Sequence, residues 1–397
     1  MRRFTTGLVL FACLSAVALA KADLGVVTVQ AQRQVFPSSG TLPFSAATKA
    51  DGLIYVSGAL SAKGDISQQT AGVIDSLGAT LKTAGSSLGH VVAATVYLKN
   101  AADAAAMTEV WRRYWPKDAP TRTTVVAGLV AEAALVEIAL IAVPNGAERK
   151  IITPAGWSTA NPYSYAIQTG DTLFISGLVS RDAKSNQPIE GDVTTQMKSI
   201  FANAGEILKT GGFTLADIVA NRVYLTDVAT FGEMNKAYVP HFPKNPPARA
   251  TVIVGLPGPT YKVEVTMTAV KGPKEALTTP AADGSPGKPN PNLSSAIKVG
   301  NRLYVSGILG NNADNKGNAE AQTKETMARI ERTMKAAGFG FEHLVDGVVY
   351  ITDVANFQAM NNAYRPAIGK DFPARATVRT GLVGQEGLVE IMFVASK

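Results

Sequence analysis

Three charged pairs recur along this chain at one spacing: Arg122 with Glu137, Arg249 with Glu264, and Arg375 with Glu390, the glutamate fifteen residues after the arginine each time. Each arginine follows a proline by two positions, and each glutamate sits in an apolar run such as Leu135-Val136-Glu137-Ile138-Ala139-Leu140. A guanidinium is a planar fork of N–H donors that grips a carboxylate with two parallel hydrogen bonds and keeps its charge. A carboxyl group among aliphatic side chains must be paired, hydrogen-bonded or protonated. If its pKa is raised, it can take a proton from an attacking water. The chemistry available to such a pair is capture of a small carboxylate beside a group that moves protons. The bland alternative is a structural ion pair. The turn between the two closing strands would place arginine and glutamate on one antiparallel hairpin, out of direct opposition, which favours two groups facing one cavity.

The elements that must position these pairs repeat as well. Successive arginines lie about 126 residues apart, so the chain reads as three copies of one domain of roughly 120 residues. Each copy opens with a β-branched or aromatic run ending in glycine: Leu53-Ile54-Tyr55-Val56-Ser57-Gly58, Leu173-Phe174-Ile175-Ser176-Gly177 and Leu303-Tyr304-Val305-Ser306-Gly307. A middle phrase contains Tyr97, Tyr224 and Tyr350. In the later copies it is followed by Phe231-x-x-Met234-Asn235-x-x-Tyr238 and Phe357-x-x-Met360-Asn361-x-x-Tyr364, where the first copy has Met107, Thr108 and Trp111. In the second copy the apolar spacing of Met197, Ile200, Phe201, Ala204 and Leu208 predicts a helix over Val193 to Thr210. A second helix is expected near Thr230 to Tyr238, and closing strands over Thr251 to Val254 and Tyr261 to Val270. The order is strand, strand, helix, strand, helix, strand, strand, an α+β sheet with helices on one face. Apolar closing strands imply that the other face is covered too. Three such sheets on one chain can pack open face to open face as an intramolecular pseudo-trimer, a monomer with trimer-like symmetry.

Composition narrows the function classes. Residues 46% hydrophobic and 17% charged support buried cores. Residues 1–20 read as a signal peptide, with Arg2 and Arg3, an apolar stretch from Gly7 to Leu19, and a small-residue cut after Ala20; Ala31 is a second candidate cut. The expected location is periplasmic or secreted, with no membrane span left after removal of the signal. The only cysteine, Cys13, lies inside that signal, and the three histidines lack ligand spacing, so neither a thiolate nucleophile nor a metal site is expected. The formal charge of +7 is modest for this length and shows no basic stripe with interleaved aromatics, which speaks against nucleic acid. The expected organisation is repeats over 33–146, 150–271 and 292–397, with a proline-rich linker, extended and solvated, over 272–291.

At this point the chain resembles a known family. The second copy carries Asn161-Pro162-Tyr163-Ser164, Ile175-Ser176-Gly177, Met234-Asn235, Pro247-Ala248-Arg249 and Val263-Glu264-Val265 in order. This is similar to the reactive intermediate deaminase family, also called the YjgF/YER057c/UK114 family. The resemblance implies chorismate-mutase-like (bacillus type) repeats, β-β-α-β-α-β-β each, and clefts between neighbouring units. It also implies cofactor-free hydrolysis of small 2-imino or enamino acids to 2-keto acids and ammonia, some members being described instead as ribonucleases. By the same resemblance Arg122, Arg249 and Arg375 would hold the substrate carboxylate, and Glu137, Glu264 and Glu390 would place or activate water. Tyr163, Ser176, Gly177, Asn235, Ser306, Gly307 and Asn361 would bind substrate. The front tyrosine is matched only by Tyr163; the first copy has Phe44 and the third Leu293. A cysteine common in relatives two residues after the arginine is a threonine here (Thr124, Thr251, Thr377), which rules out thiol modification. One fully furnished cleft and two altered ones are therefore expected, with Arg249 and Arg375 in the better-equipped sites. The rivals to catalysis are a non-catalytic binding protein for small carboxylates and an endoribonuclease-like activity.

Overall fold

The computed structural model describes residues 33–397; the signal-peptide expectation falls outside the described residues. The first repeat contains β1 (Gln34–Pro37), β2 (Ser45–Ala50), β3 (Leu53–Leu60), α1 (Ile66–Thr83), β4 (Val91–Leu98), α2 (Ala104–Tyr114), β5 (Thr121–Val126), β6 (Gly128–Leu129) and β7 (Val136–Ala142). The second contains β8 (Lys150–Ile152), β9 (Ala166–Thr169), β10 (Thr172–Val179), α3 (Val193–Thr210), β11 (Ile218–Leu225), α4 (Phe231–Tyr238), β12 (Ala248–Ile253) and β13 (Val263–Val270). The third contains β14 (Lys274–Leu277), β15 (Ala296–Val299), β16 (Arg302–Leu309), α5 (Ala319–Ala336), β17 (Leu344–Ile351), α6 (Asn356–Ile368), β18 (Ala374–Arg379), β19 (Gly381–Leu382) and β20 (Val389–Ser396). Among the described residues, no helix is long and apolar enough to cross a membrane.

The helices form where capping and periodicity agree. Asp192 caps α3 by accepting from the Thr195 amide, and Gly212, at φ +76°, follows its end in the left-handed region. Its Met197, Ile200, Phe201, Ala204 and Leu208 are buried against the second sheet, as the spacing predicts. Each such side chain contributes about 1.5–3 kcal/mol by leaving water. Each repeat has its own helix-on-sheet core of this kind.

Two differences from expectation matter. A short front strand precedes the expected pair in every repeat, and in the third it is β14, which lies inside the segment expected to be a solvated linker. β14 pairs antiparallel with β15, and the largely exposed run of that segment is confined to residues 281–291 beyond it and Gly272 and Pro273 before it. Lys-Glu-Ala-Leu has no strand pattern of its own; it becomes a strand because β15 offers it an open edge. The closing strands also do not form a hairpin. The second sheet runs β19-β12-β11-β13-β10-β9-β8, so β11 lies between the arginine strand and the glutamate strand. β11 pairs parallel with β12 and antiparallel with β13. The other two sheets follow the same order.

The sheets exchange edges in a cycle. β6 of the first repeat pairs with β18 of the third, β19 of the third pairs with β12 of the second, and Gly255 of the second bridges Val126 of the first. The helix-free faces share cores drawn from all three repeats, including Tyr97, Tyr224 and Tyr350 in one and Tyr55, Phe174 and Val345 in another. A cavity of about 80 Å³ between the sheets is lined by Thr95, Arg222 and Asp346, and Arg222 approaches Asp346 at 3.9 Å. One residue clasps all three repeats: Arg302 donates to Asp51 at 2.5 Å, to Asp171 at 3.1 Å and to Thr172. Arg302→Ala strands two carboxylates at this junction and is expected to cost about 1–3 kcal/mol. The urea midpoint checks it; an unchanged midpoint would show the clasp to be idle.

Candidate functional site

The sheet order decides which arginine meets which glutamate. Arg249 pairs in register with Asn221 of β11, and Glu264 with Tyr224, three residues further along. Side chains alternate between faces, so an odd offset sends the two groups to opposite sides of the sheet. Asn221 points to the helix layer, where its amide donates to the Tyr238 hydroxyl at 2.7 Å, while Tyr224 packs in the shared core. Arg249 thus lies under α4, and Glu264 projects toward the first repeat. The same register holds for Arg122 with Ala94 and Glu137 with Tyr97, and for Arg375 with Gly347 and Glu390 with Tyr350. The fifteen-residue pair therefore never shares a cavity, contrary to the expectation of two groups facing one cavity.

Each arginine instead faces the glutamate of the next repeat around the cycle. The first cleft joins Arg122 to Glu264, the second Arg249 to Glu390, the third Arg375 to Glu137, each pair interacting through space without closing into an ion pair. All six side chains are buried. The glutamates lie over the expected glycines and their first-repeat equivalent. A Cβ on Gly177 would come 1.8 Å from Glu264 Oε1, one on Gly307 1.9 Å from Glu390 Oε1, and one on Gly58 2.0 Å from Glu137 Oε1. Gly177→Ala is therefore expected to displace Glu264 and to cost about 1–3 kcal/mol, again read as a shift in urea midpoint.

The serines hold the arginine strands. Ser176 Oγ donates to Ser164 O at 2.7 Å and accepts from the Arg122 amide at 2.9 Å. Ser306 does the same with Ser294 and Arg249, and Ser57 with Ser45 and Arg375. These hydroxyls are committed across the repeat boundary, so they position the arginine. The helix residues orient the guanidinium itself. Asn235 Oδ1 accepts from Arg249 Nη2 at 2.7 Å, and Asn361 Oδ1 from Arg375 Nη1 at 2.9 Å, while Thr108 Oγ1 stands at 3.2 Å from Arg122 Nη2.

Aromatic rings flank each cation, which suits a desolvated guanidinium. Arg122 lies between Trp111 and Tyr163, at 5.2 and 5.5 Å from the ring centres. Arg249 lies 4.6 Å from Tyr238, and Arg375 lies between Tyr364 and Phe44. Trp111, Tyr238 and Tyr364 were not among the expected site residues. Their spacing, three after Thr108, Asn235 and Asn361, puts them on the same helix face and was the available signal.

Tyr163 belongs to the first cleft, with Thr108, and not to the cleft of Asn235. No cleft combines the front-loop tyrosine Tyr163 with an asparagine, so the expected single fully furnished cleft does not exist, and the pairing of repeats is the reason. The first cleft has Tyr163 and threonine; the second and third have asparagine without the tyrosine.

Burial shapes the electrostatics. Loss of solvent pushes each of Glu137, Glu264 and Glu390 up to about 8, only partly opposed by the facing arginine and, for Glu137 and Glu264, by a backbone amide of Thr377 or Thr124. Burial lowers Arg122 to about 10 and lowers Arg249 and Arg375 as well. Several polar atoms here have no partner: Arg122 Nε, Arg249 Nε and Nη1, Glu137 Oε2, Glu390 Oε2 and Asn361 Nδ2. Buried donors and acceptors left unmade cost about 1–3 kcal/mol each, so these clefts are poised for a polar ligand.

What the fold and the clefts define is a class: α+β repeat proteins with buried charged groups facing one another between neighbouring repeats. A family model described as Endoribonuclease L-PSP matches residues 38–144, 154–271 and 286–397. The chain belongs to this family, that of the YjgF and RidA proteins, three times over. Among relatives, a RutC family protein of Sulfurisphaera tokodaii is 34% identical over 122 residues, covering 31% of this chain and 98% of that protein. A mouse 2-iminobutanoate/2-iminopropanoate deaminase is 37% identical over 126 residues, covering 32% of this chain and 93% of that protein. A crystal structure of chorismatase is alike over 78% of this chain and 93% of that one, with a TM-score of 0.52 at 13% identity, a likeness of fold alone.

Proposed function

We propose that the protein hydrolyses small 2-imino or enamino acids to 2-keto acids and ammonia in its inter-repeat clefts. The observation that carries this reading is a buried guanidinium facing a buried carboxyl of raised pKa, built three times, with unpaired N–H donors on Arg122 and Arg249. Relatives named 2-iminobutanoate/2-iminopropanoate deaminase support the same chemistry. The arginine takes the substrate carboxylate as a charge-assisted pair. With a pKa of about 8, the glutamate rests as the acid at neutral pH. It first donates its proton to the imine nitrogen. The resulting carboxylate then takes a proton from water attacking the imine carbon, and returns it to the departing amine. Water adds its oxygen to carbon, the C–N bond breaks to release ammonia, and the carboxylate takes the remaining hydroxyl proton as the C=O forms, so the glutamate returns to the acid and atoms and charge balance without a cofactor.

The test generates 2-iminobutyrate enzymatically, adds the mature protein and times ammonia release. Acceleration supports the reading; no acceleration on several imines overturns it. That no cleft pairs Tyr163 with an asparagine favours a second reading, a binding protein for small carboxylates, which would bind 2-oxobutyrate without turnover. We also propose a periplasmic or secreted location, supported by the signal-like run over residues 1–20.

A further inference from the structure

The first cleft has a cation, Arg181, with no arginine or lysine at the equivalent positions of the other two repeats. Arg181 lies two residues beyond Val179, which pairs in register with Glu264. Val179 packs against the shared core, and so does Tyr261, the residue that Arg181 bonds, which puts the guanidinium on the side from which Glu264 projects. The guanidinium is held in place by neutral groups: Nε and Nη2 donate to the Tyr261 hydroxyl at 3.0 and 2.6 Å, and Nη1 to Asn186 Oδ1 at 2.8 Å. Among the described residues no carboxylate pairs with it, although it is half-buried. Asn186 adopts φ +61° to make its contact. The turn that carries Arg181 docks on the loop that carries Tyr163, through a Ser158 to Ala183 backbone bond of 2.9 Å. The charge of Arg181 acts on the Tyr163 hydroxyl, whose ring also packs on Arg122. At the equivalent positions the first repeat has Ala62 and Ala134, and the third has Asn311 and Gly387, in place of Arg181 and Tyr261. A fixed, partly desolvated cation with only neutral partners is a receptor for an anion.

We propose that Arg181 makes the first cleft selective for imino acids bearing a second carboxylate, with Arg122 holding the α-carboxylate and Arg181 the distal one. This rests on the deaminase reading for its turnover but not for its binding. The test uses the full mature chain with Arg249→Ala and Arg375→Ala, so that only the first cleft keeps its arginine. Calorimetry compares 2-oxoglutarate with 2-oxobutyrate, and ammonia release compares 2-iminoglutarate with 2-iminobutyrate. The dicarboxylates should be favoured by about tenfold or more. Arg181→Leu should remove that preference, and Arg181→Lys should keep part of it. No preference in the parent, or equal losses for both ligands in Arg181→Leu, overturns the proposal. Binding that prefers 2-oxoglutarate through Arg181 without ammonia release upholds it while sinking the deaminase reading.

Discussion

Replacing Arg122, Arg249 and Arg375 together by alanine is expected to lower ammonia release from 2-iminobutyrate by about 10²–10³-fold. Two losses compound. The substrate carboxylate loses its charge-assisted partner in a buried site. The glutamate also loses the one nearby positive charge that opposes its desolvation, so its pKa climbs further and it releases its proton less readily. Lysine will not rescue, because a compact ammonium cannot reproduce the planar fork held by Asn235 or Asn361. The three single changes divide the activity among clefts. Because each cleft joins two repeats, Arg122→Ala and Glu264→Gln should silence the same share, as should Arg249→Ala with Glu390→Gln. Matching losses within a repeat, Arg249 with Glu264, would contradict the geometry. Retention of full activity in the triple variant would remove the arginines from the reaction.

The second large effect is on stability against pH. A glutamate has a pKa near 4.5 when unfolded and about 8 in these clefts. Between those values the native state holds protons that the unfolded state has released, so unfolding free energy falls as pH rises. The contribution is fully present below about pH 4.5 and lost by the time pH passes 8. Each glutamate accounts for roughly 3–5 kcal/mol over that window. Glutamine mimics the protonated carboxyl without titrating. The variant with Glu137, Glu264 and Glu390 all changed to glutamine should match the wild type at pH 5, exceed it at pH 9, and show a flatter midpoint-versus-pH curve in urea. Parallel curves for the two proteins would mean that the carboxyls ionise normally.

Much of one repeat was legible in the chain. The span of α3 follows from apolar spacing and a terminal Asp–Gly framing, both local. The triplication, the charged pairs and the glycines under the glutamates follow from recurrence alone. β14 was not legible, because a short polar strand exists only where a neighbouring edge accepts it. The hairpin expectation failed for a related reason. Adjacent strands in sequence are a fair default, but β11 inserts between β12 and β13 through a parallel pairing that no local pattern announces.

The amino-acid sequence by itself determined the inventory: three arginines, three glutamates, one tyrosine, two asparagines, and the repeat that carries each. Tertiary structure decided who meets whom. Strand order sends Arg249 and Glu264 to opposite faces, and cyclic exchange of edges brings Arg122 to Glu264 and Tyr163, and Arg249 to Glu390. Side-chain alternation is a property of a strand, but partnership across an interface is a property of packing. That is why the fifteen-residue spacing marks three sites while assigning every glutamate to the wrong arginine.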